Sequence, residues 1–263
     1  AGEDIFADKE EIKLQPNQYV MLVSNSNDKK TALARFYNYN DPLVKMYKMD
    51  DVWGIDARNK EQSFALELLM DPDVEVVSLI GQAGSGKTLL AVAAGLEQVL
   101  GEEQEYKKLI VSRPIQPLGK DIGFLPGTLE EKMDPWLMPI KDNLEFLLGN
   151  DRDTVKTYFE KGVIEIEAIT YIRGRSITNA FIIIDEAQNL TRHELKTILT
   201  RVGEGTKIIL TGDIEQIDNI YIDETSNGLT YAVEKFKEYD ISGHITLQKG
   251  ERSKVATLAA KIL

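Results

Sequence analysis

From residue 54 onward, short apolar runs alternate with segments whose apolar residues recur at helical spacing. The runs EVVSLI, KLIVS, FIIID and KIILTG are rich in β-branched residues and have the length of buried strands. Between them, NKEQSFALELLM has one apolar helical face, and KTLLAVAAGLEQVL is apolar on nearly every side. Strands that alternate with helices predict an α/β fold with a mostly parallel sheet.

The first 53 residues follow a different pattern. NQYVMLVSN, LARFYNY and VKMYKMD each predict a short strand, and Asn, Ser and Asp between them are typical turn residues. We therefore divide the chain into a small β-rich module over residues 1–53 and an α/β domain over residues 54–263.

The start of one predicted helix locates two acids at the end of a strand. Thr191 and Glu194 form a capping box, so a helix begins shortly after FIIIDEAQNL. The acids Asp185 and Glu186 thus follow a predicted strand at its carboxyl end, where open α/β sheets bind ligands. Further upstream, LEEKMDPWLMPIKDNLEFLL predicts a helix that Pro135 and Pro139 break or kink.

A glycine-rich segment, GQAGSGKT, matches G-x-x-x-x-G-K-[ST] between a predicted strand and a predicted helix. Gly84 and Gly86 permit a tight turn whose N–H groups point at phosphate oxygens. In such a loop Lys87 reaches the β- and γ-phosphates, and the Thr88 hydroxyl ligates Mg²⁺. The candidate nucleotide-binding residues of the loop are Gly81, Gln82, Ala83, Gly84, Ser85, Gly86, Lys87 and Thr88.

Given a phosphate loop, the two acids acquire separate predicted roles. Asp185 is expected to hold Mg²⁺ through its water shell. Glu186 is the candidate to orient or deprotonate the attacking water. The alternative for Glu186 is an exposed acid near a helix N-terminus, where acids are common.

The run ILTGD ends in small polar residues and an acid, with Gln216 following. Thr211, Asp213 and Gln216 are expected at the same edge of the sheet as the phosphate loop. Asp213 or Gln216 is a candidate sensor of the γ-phosphate. A simple β-turn at Gly212 is the alternative.

Composition narrows the classes of protein. The chain has 263 residues, 43% of them hydrophobic, which suffices for one sizeable core. It has no apolar run near the ~20 residues of a membrane span. Without cysteine, disulfides and thiolate metal sites are excluded, and two histidines give no basis for a histidine zinc site. We expect a cytoplasmic protein that binds no membrane.

Because the formal net charge is −12, the electric field of the whole molecule repels nucleic acid. Any RNA binding therefore needs a local cluster of cations. The chain begins AGEDIF, without Met, and we expect it to be a piece of a longer protein.

Several segments together resemble a known family. GQAGSGKT, SRPIQPLGKDIGFLPG, EKMDPWLMPIKDNLEFL, TYIRGRSITNAFIIIDEAQN and LTGDIEQID occur in the order seen in the PhoH-like P-loop ATPases, over residues 54–263. The resemblance implies a RecA-like core, with ATP and Mg²⁺ as cofactors. It also implies ATP hydrolysis coupled to remodelling or unwinding of single-stranded RNA. A homo-oligomer, with a hexameric ring as one form, is implied as well.

NQYVML followed by WGIDARNKEQ is similar to the subgroup in which a PIN nuclease domain precedes the PhoH domain. A PIN domain uses several acids spread over more residues than the chain has before residue 54. We therefore expect any nuclease domain to belong to a longer parent chain.

The resemblance also implies roles for further residues, which are assigned by their position in the sequence. Asn59 and Gln62 resemble the adenine-reading element of related helicases, and a Gln amide suits the adenine edge. The alternative is a pair of solvated residues in the first turn of a helix. Arg252 resembles an arginine finger, with a surface arginine as the alternative.

The cations nearest the special motifs, with a neighbouring aromatic residue that can stack on a base, are candidate nucleic-acid contacts. They are Arg113, Lys120, Tyr171, Arg173 and Arg175. Two alternatives stay open: an arginine that serves a neighbouring subunit's phosphate, and salt bridges with the many acids.

The sequence leads to three alternative functions. The first is an ATPase that remodels RNA. The second is a nucleotide-gated regulatory or assembly module without motor activity. The third, a small-molecule kinase, needs an acceptor pocket and a lid.

Overall fold

The structure is a computed structural model that describes residues 4–47, 49, 51–114, 129–149, 152–172 and 176–248. Its first part is a small antiparallel sheet of order β1-β2-β3. The strands are Gln18–Ser24 (β1), Asn27–Phe36 (β2) and Val44–Lys45 (β3). Strands β1 and β2 form a hairpin that turns at residues 25–26. The predicted β-rich module is therefore present, although its third strand is only two residues long.

The main sheet has six strands, and each neighbouring pair is parallel. The strands are Val76–Gly81 (β4), Lys108–Arg113 (β5), Ile164–Ala168 (β6), Ala180–Ile184 (β7), Lys207–Gly212 (β8) and Ser242–Leu247 (β9). Their order is β6-β5-β7-β8-β4-β9. Strand β8 thus lies between β4, which leads into the phosphate loop, and β7, which ends at the two acids. The expected α/β fold with a mostly parallel sheet is confirmed.

Helices cover both faces of this sheet. They are Lys60–Met70 (α1), Lys87–Leu100 (α2), Leu129–Leu147 (α3), Arg152–Glu160 (α4), Ile169–Ile172 (α5), Arg192–Leu199 (α6) and Gly228–Phe236 (α7). Within the described residues, no helix is both long enough and apolar enough to span a membrane.

The main sheet has a hydrophobic core on each of its two faces, because successive side chains of a strand point to opposite faces. In β7, Phe181 and Ile183 face the core that α1 to α4 cover, whereas Ile182 and Ile184 face the core that α6 and α7 cover. Helix α2 packs so closely that a Cβ on Gly95 would approach Leu109 Cδ1 to 2.8 Å. This packing explains why α2 is apolar on most sides.

Helix α3 differs from its prediction. It runs through Pro135 and Pro139 without ending, so a break at the prolines is wrong, and a kink there stays a prediction. Leu137, Ile140 and Leu144 are buried along one side of α3. Burial of this apolar stripe offsets the backbone hydrogen bonds that the prolines remove.

The small sheet attaches to the main domain through a buried arginine. Arg35 is 2% exposed, and its Nη2 donates to Asn17 Oδ1 at 2.6 Å. Its Nη1 lies 2.7 Å from Asp71 Oδ2 at the end of α1. Asn17 Nδ2 in turn donates to the backbone oxygen of Ser242 in β9 at 2.7 Å. Through Arg35 and Asn17, the module therefore contacts two elements of the main domain, α1 and β9.

Candidate functional site

The phosphate loop joins β4 to α2 with the geometry that its sequence predicts. Gly84 and Gly86 have φ values of 79° and 91°, in the left-handed region that favours glycine. Gly86 is the N-cap of α2 and supplies no side-chain cap. The first N–H groups of α2 are thus not capped by a side chain from the N-cap position, which is the arrangement that binds phosphate at a helix N-terminus.

Lys87 lies over this loop. Its Nζ donates to the backbone oxygens of Gly81 at 2.5 Å and Gln82 at 3.0 Å. The ammonium group is therefore held at the mouth of the loop by carbonyl groups. Phosphate oxygens are stronger acceptors than these carbonyls because they are charged.

A buried corner next to the loop has the chemistry of a Mg²⁺ site. Asp185 is 3% exposed, and its Oδ1 accepts from Thr88 Oγ1 at 2.7 Å and from Thr211 Oγ1 at 2.6 Å. The buried hydroxyl of Ser112, in the neighbouring strand β5, has no hydrogen-bond partner among the described residues. These hard oxygen groups fit Mg²⁺ held jointly with nucleotide phosphates.

The described residues contain no cluster of three or more His, Asp or Glu side chains that could hold a metal ion by itself. A magnesium ion in a nucleotide site takes most of its ligands from phosphate and water. Thr88 and Asp185 are the residues that would hold it.

Glu186 has a strained and enclosed position. Its φ of 54° is uncommon for a residue other than glycine, and such conformations cluster at functional sites. Its Oε2 accepts from Gln188 Nε2 at 2.5 Å. Burial, followed by the neighbouring Asp185 charge, raises the pKa of the Glu186 carboxyl. A raised pKa makes this carboxylate a better proton acceptor at neutral pH.

Arg113, at the end of β5, reaches both acids. Its Nη1 lies 3.7 Å from Asp185 Oδ2, and its Nη2 lies 3.5 Å from Glu186 Oε1. The sequence suggested Arg113 as a nucleic-acid contact. The structure places its guanidinium inside the candidate site, and the contact with RNA stays a prediction.

The loop after β8 completes the site. Asp213 Oδ2 accepts from the backbone N–H of Ala83 in the phosphate loop at 2.9 Å. Gln188 Oε1 accepts from the backbone N–H of Asp213 at 3.1 Å, and Gln188 Nε2 donates to the Gln216 backbone oxygen at 2.9 Å. Thr211 therefore contacts Asp185 and Asp213 contacts the phosphate loop, whereas Gln216 is joined to the acids through Gln188. Their sensing of a γ-phosphate stays a prediction.

Gln188 is a residue that sequence reasoning did not single out. It is fully buried and joins the Glu186 carboxylate to the loop after β8. One available signal was an amide, which both donates and accepts, placed two residues after the candidate acid Glu186.

Asn59 and Gln62 lie at the start of α1. Asn59 Oδ1 caps the helix by accepting from Gln62 N at 3.0 Å. Gln62 Nε2 donates to the Ser85 backbone oxygen at 3.1 Å, and its Oε1 accepts from Arg58 N at 2.9 Å. Gln62 is thus buried against the phosphate loop instead of solvated, and the adenine contact of both residues stays a prediction.

The other predicted site residues lie outside the described part of the chain. They are Lys120, Arg173, Arg175, Arg252 and the side chain of Tyr171. Their roles as nucleic-acid contacts and as an arginine finger stay predictions.

Comparison with known proteins gives a consistent family. The family model described as PhoH-like protein matches residues 54–262. Protein PhoH2 of Bacillus subtilis strain 168 is 53% identical over 254 residues, which cover 94% of this chain and 57% of the relative. Protein PhoH2 of Mycolicibacterium smegmatis is 42% identical over 81% of this chain and 48% of the relative. The chain thus spans about half the length of these curated relatives.

Two solved helicase structures show a weaker likeness. The Pif1 helicase from Candida albicans has a TM-score of 0.40 and 16% identity, over 79% of this chain and 43% of that chain. Bacteroides sp Pif1 in complex with ADP-AlF4 has a TM-score of 0.34 and 15% identity, over 78% and 45% of the two chains. These values are too low to support an inference about function.

Proposed function

Since this chain belongs to the PhoH-like protein family, we propose that it binds ATP with Mg²⁺ and hydrolyses it to ADP and inorganic phosphate. The observation that carries the proposal is the corner where Thr88 and Thr211 donate to the Asp185 carboxylate, with Glu186 directly after it. The family and the fold support the assignment of the chain as a P-loop NTPase. ATP as the nucleotide rests on the resemblance of the motifs.

In the proposed reaction the residues have separate tasks. The N–H groups of the phosphate loop and Lys87 bind the β- and γ-phosphates. Thr88 and Asp185 would hold Mg²⁺, which would supply positive charge to neutralise these phosphates. Glu186 accepts the proton of a water whose oxygen forms the new bond to the γ-phosphorus. The bond between that phosphorus and the β-phosphate oxygen breaks, and its electrons leave with ADP.

Arg113 is proposed to orient the two acids. It lies within 4 Å of one oxygen of each carboxylate, so it offsets the repulsion between Asp185 and Glu186. A positive charge at this place also favours the ionised form of Glu186, which is the form that accepts a proton.

We further propose that turnover is coupled to remodelling of single-stranded RNA. The motif resemblance supports this step, and the charge of −12 requires that the RNA contacts be local clusters of cations. Without such coupling, the same site would serve a nucleotide-gated regulatory module.

Phosphate release from ATP, with and without single-stranded RNA, tests the proposal. The Glu186→Gln variant is expected to bind ATP but to lose about 100-fold or more in kcat. Glu238→Gln, on the exposed surface, is the matched control and is expected to behave as wild type. RNA-stimulated turnover that Glu186→Gln abolishes supports a motor.

Other outcomes favour the other functions. Turnover that RNA does not change favours the regulatory module, whose partner binding Glu186→Gln would leave intact. Transfer of the γ-phosphate to a small molecule, without free phosphate, would favour a kinase. Wild-type protein without any turnover contradicts the proposal.

A further inference from the structure

The loop after β8 carries a turn with an unusual composition. Residues 219–222 form a turn that the backbone N–H of Ile222 closes by donating to the Asn219 oxygen at 3.2 Å. Its two central residues, Ile220 and Tyr221, are 87% and 85% exposed, the highest values among the large apolar side chains of the described residues. Turns favour Gly, Asn, Asp and Ser at such positions. We call Ile220 and Tyr221 the apex.

The apex is held in place by the segment that carries the acids. Asn189 Oδ1 accepts from the backbone N–H groups of Asp218 at 2.8 Å and Asn219 at 3.3 Å. Asn219 Nδ2 donates to the Asn189 backbone oxygen at 3.0 Å, and Asn219 Oδ1 accepts from Tyr221 N at 3.1 Å. An apolar pair presented on a turn that is already ordered binds at a smaller entropic cost.

A groove of about 180 Å³ lies on the surface between α6 and α7. Its apolar floor consists of Leu195, Leu199, Ala232 and Phe236. It has the character of a site for one or two apolar side chains, because the atoms exposed inside the groove are almost all apolar, including those of its longer polar side chains. We call it the α6–α7 groove.

Cations surround this groove. Arg192, Lys196 and Lys235 line it, and all three are exposed. Arg192 Cζ and Lys235 Nζ lie 4.8 Å and 5.8 Å from the ring centroid of Tyr231, which also lines the groove. In a chain of net charge −12, this is a local positive rim around an apolar floor.

The apex has the complementary charges. Asp218, Asp223 and Glu224 flank it and are exposed. The carboxylate of Asp223 accepts hydrogen bonds from Thr225 and Ser226, which lower its pKa to about 2 and keep it ionised. Acidic flanks repel the phosphates of nucleic acid and attract a cationic rim.

We propose that the apex of one copy of this chain inserts into the α6–α7 groove of a second copy. Within one chain the apex stays exposed, so it does not fill its own groove. An apolar pair between acids fits an apolar floor between cations in both polarity and charge. The contact is either reciprocal about a two-fold axis or repeated head to tail. Because the apex is bonded to Asn189, such a contact would reach the segment that carries Asp185 and Glu186.

Sedimentation velocity over a range of protein concentrations tests this contact. Wild-type protein is expected to self-associate, and less so at high salt because the charged rim is screened. Ile220→Asp with Tyr221→Asp removes the apex, and Lys196→Glu with Lys235→Glu reverses the rim. Each double variant alone is expected to sediment as a monomer.

A mixture of the two double variants is the decisive sample. The apex variant keeps its groove and the rim variant keeps its apex, so a mixed pair retains one intact contact whatever the symmetry. The mixture is therefore expected to form dimers that neither variant forms alone.

Matched controls exclude general effects of charge or exposure. Tyr47→Asp removes an aromatic residue that is 75% exposed on the small sheet. Lys45→Glu with Lys156→Glu changes the net charge as much as the rim variant does. Both controls are expected to associate as wild type, and thermal unfolding verifies that every variant is folded.

Three results would overturn the proposal. One is a wild-type protein that is monomeric at all concentrations. Another is a mixture that stays monomeric while each variant is folded. The third is an apex variant with wild-type size and weakened binding of single-stranded RNA, which would assign the apex to RNA. The test is independent of ATP turnover, so its outcome is separate from that of the proposed reaction.

Discussion

Gln188 connects three parts of the candidate site that are distant along the sequence. Its amide bonds the Glu186 carboxylate, the Asp213 backbone N–H and the Gln216 backbone oxygen. Asp213 in turn bonds Ala83 of the phosphate loop. The phosphate loop and Glu186, the proposed catalytic base, are thereby connected through the buried side chain of Gln188 and through Asp213.

We expect Gln188→Met, which keeps the approximate size but not the hydrogen bonds, to reduce kcat about 10- to 100-fold. A lost hydrogen bond to a charged group of about 1.5–3 kcal/mol corresponds to that range. The affinity for nucleotide is expected to change much less, because Gln188 makes no bond to the phosphate loop itself. Steady-state ATPase rates and titration with a fluorescent ADP analogue measure the two effects.

Gln18→Met, the same change on exposed strand β1, is the control. Equal losses of kcat and of nucleotide affinity in Gln188→Met would indicate a general disruption of the loop. An unchanged kcat would show that Gln188 does not position the base.

At the residue scale the sequence predicts those roles that a short motif defines. Lys87, Thr88 and Asp185 belong to motifs with set spacing, and the structure brings them together. The position of Arg113 against both acids was not predictable in this way, because it depends on β5 lying next to β7 in the sheet. Gln188 likewise acts on a loop that follows a later strand.

At the scale of elements, the C-terminal end of α1 has an unusual partner. Lys207 of β8 is fully buried, and its Nζ donates to the backbone oxygens of Leu68 at 2.8 Å and Asp71 at 2.6 Å. Burial lowers the pKa of this ammonium group to about 7. The backbone oxygens at the end of α1 thus accept hydrogen bonds from a lysine that loses its proton at a lower pH than an ordinary lysine.

The free energy of unfolding is therefore expected to rise with pH between about 7 and 9. In that range the unfolded state, with an ordinary lysine pKa, binds more protons at Lys207 than the folded state. The slope contributed by one such group is at most about 1.4 kcal/mol per pH unit. Urea unfolding at pH 7, 8 and 9 measures it.

Lys207→Met is expected to flatten this pH dependence, and Lys161→Met, which changes an exposed lysine, is expected to leave it as in wild type. A slope that Lys207→Met does not alter would assign the effect to other groups.

Elements with strong local signals were predictable from the sequence. The bounds of α2 and the capping box of α6 agree with the patterns that predicted them. Strand β6 was not predicted, although the period-two alternation of its sequence IEIEA is typical of a half-buried strand. Helix α3 continues through two prolines because packing outweighs local propensity, which a sequence pattern does not report.

At the scale of the whole molecule, α1 links the N-terminal module to the nucleotide site. Gln62 in its first turn bonds the phosphate loop, and Asp71 at its end pairs with Arg35 of β2. Arg35 also bonds Asn17, so one side chain holds the module, α1 and β9 together. Removal of Arg35 would leave a carboxylate and an amide partly buried without this partner.

Arg35→Ala is accordingly expected to lower the free energy of unfolding by about 3 kcal/mol, as the loss of one partner from a buried ion pair does. It is also expected to increase proteolytic cleavage within residues 4–47, because the module loses its ion pair with α1. Urea unfolding and limited proteolysis measure these effects, with the exposed Arg201→Ala as the control. A wild-type urea midpoint in Arg35→Ala would show that apolar contacts alone, such as the stacking of Tyr19 on Phe64 at 4.4 Å, hold the module in place.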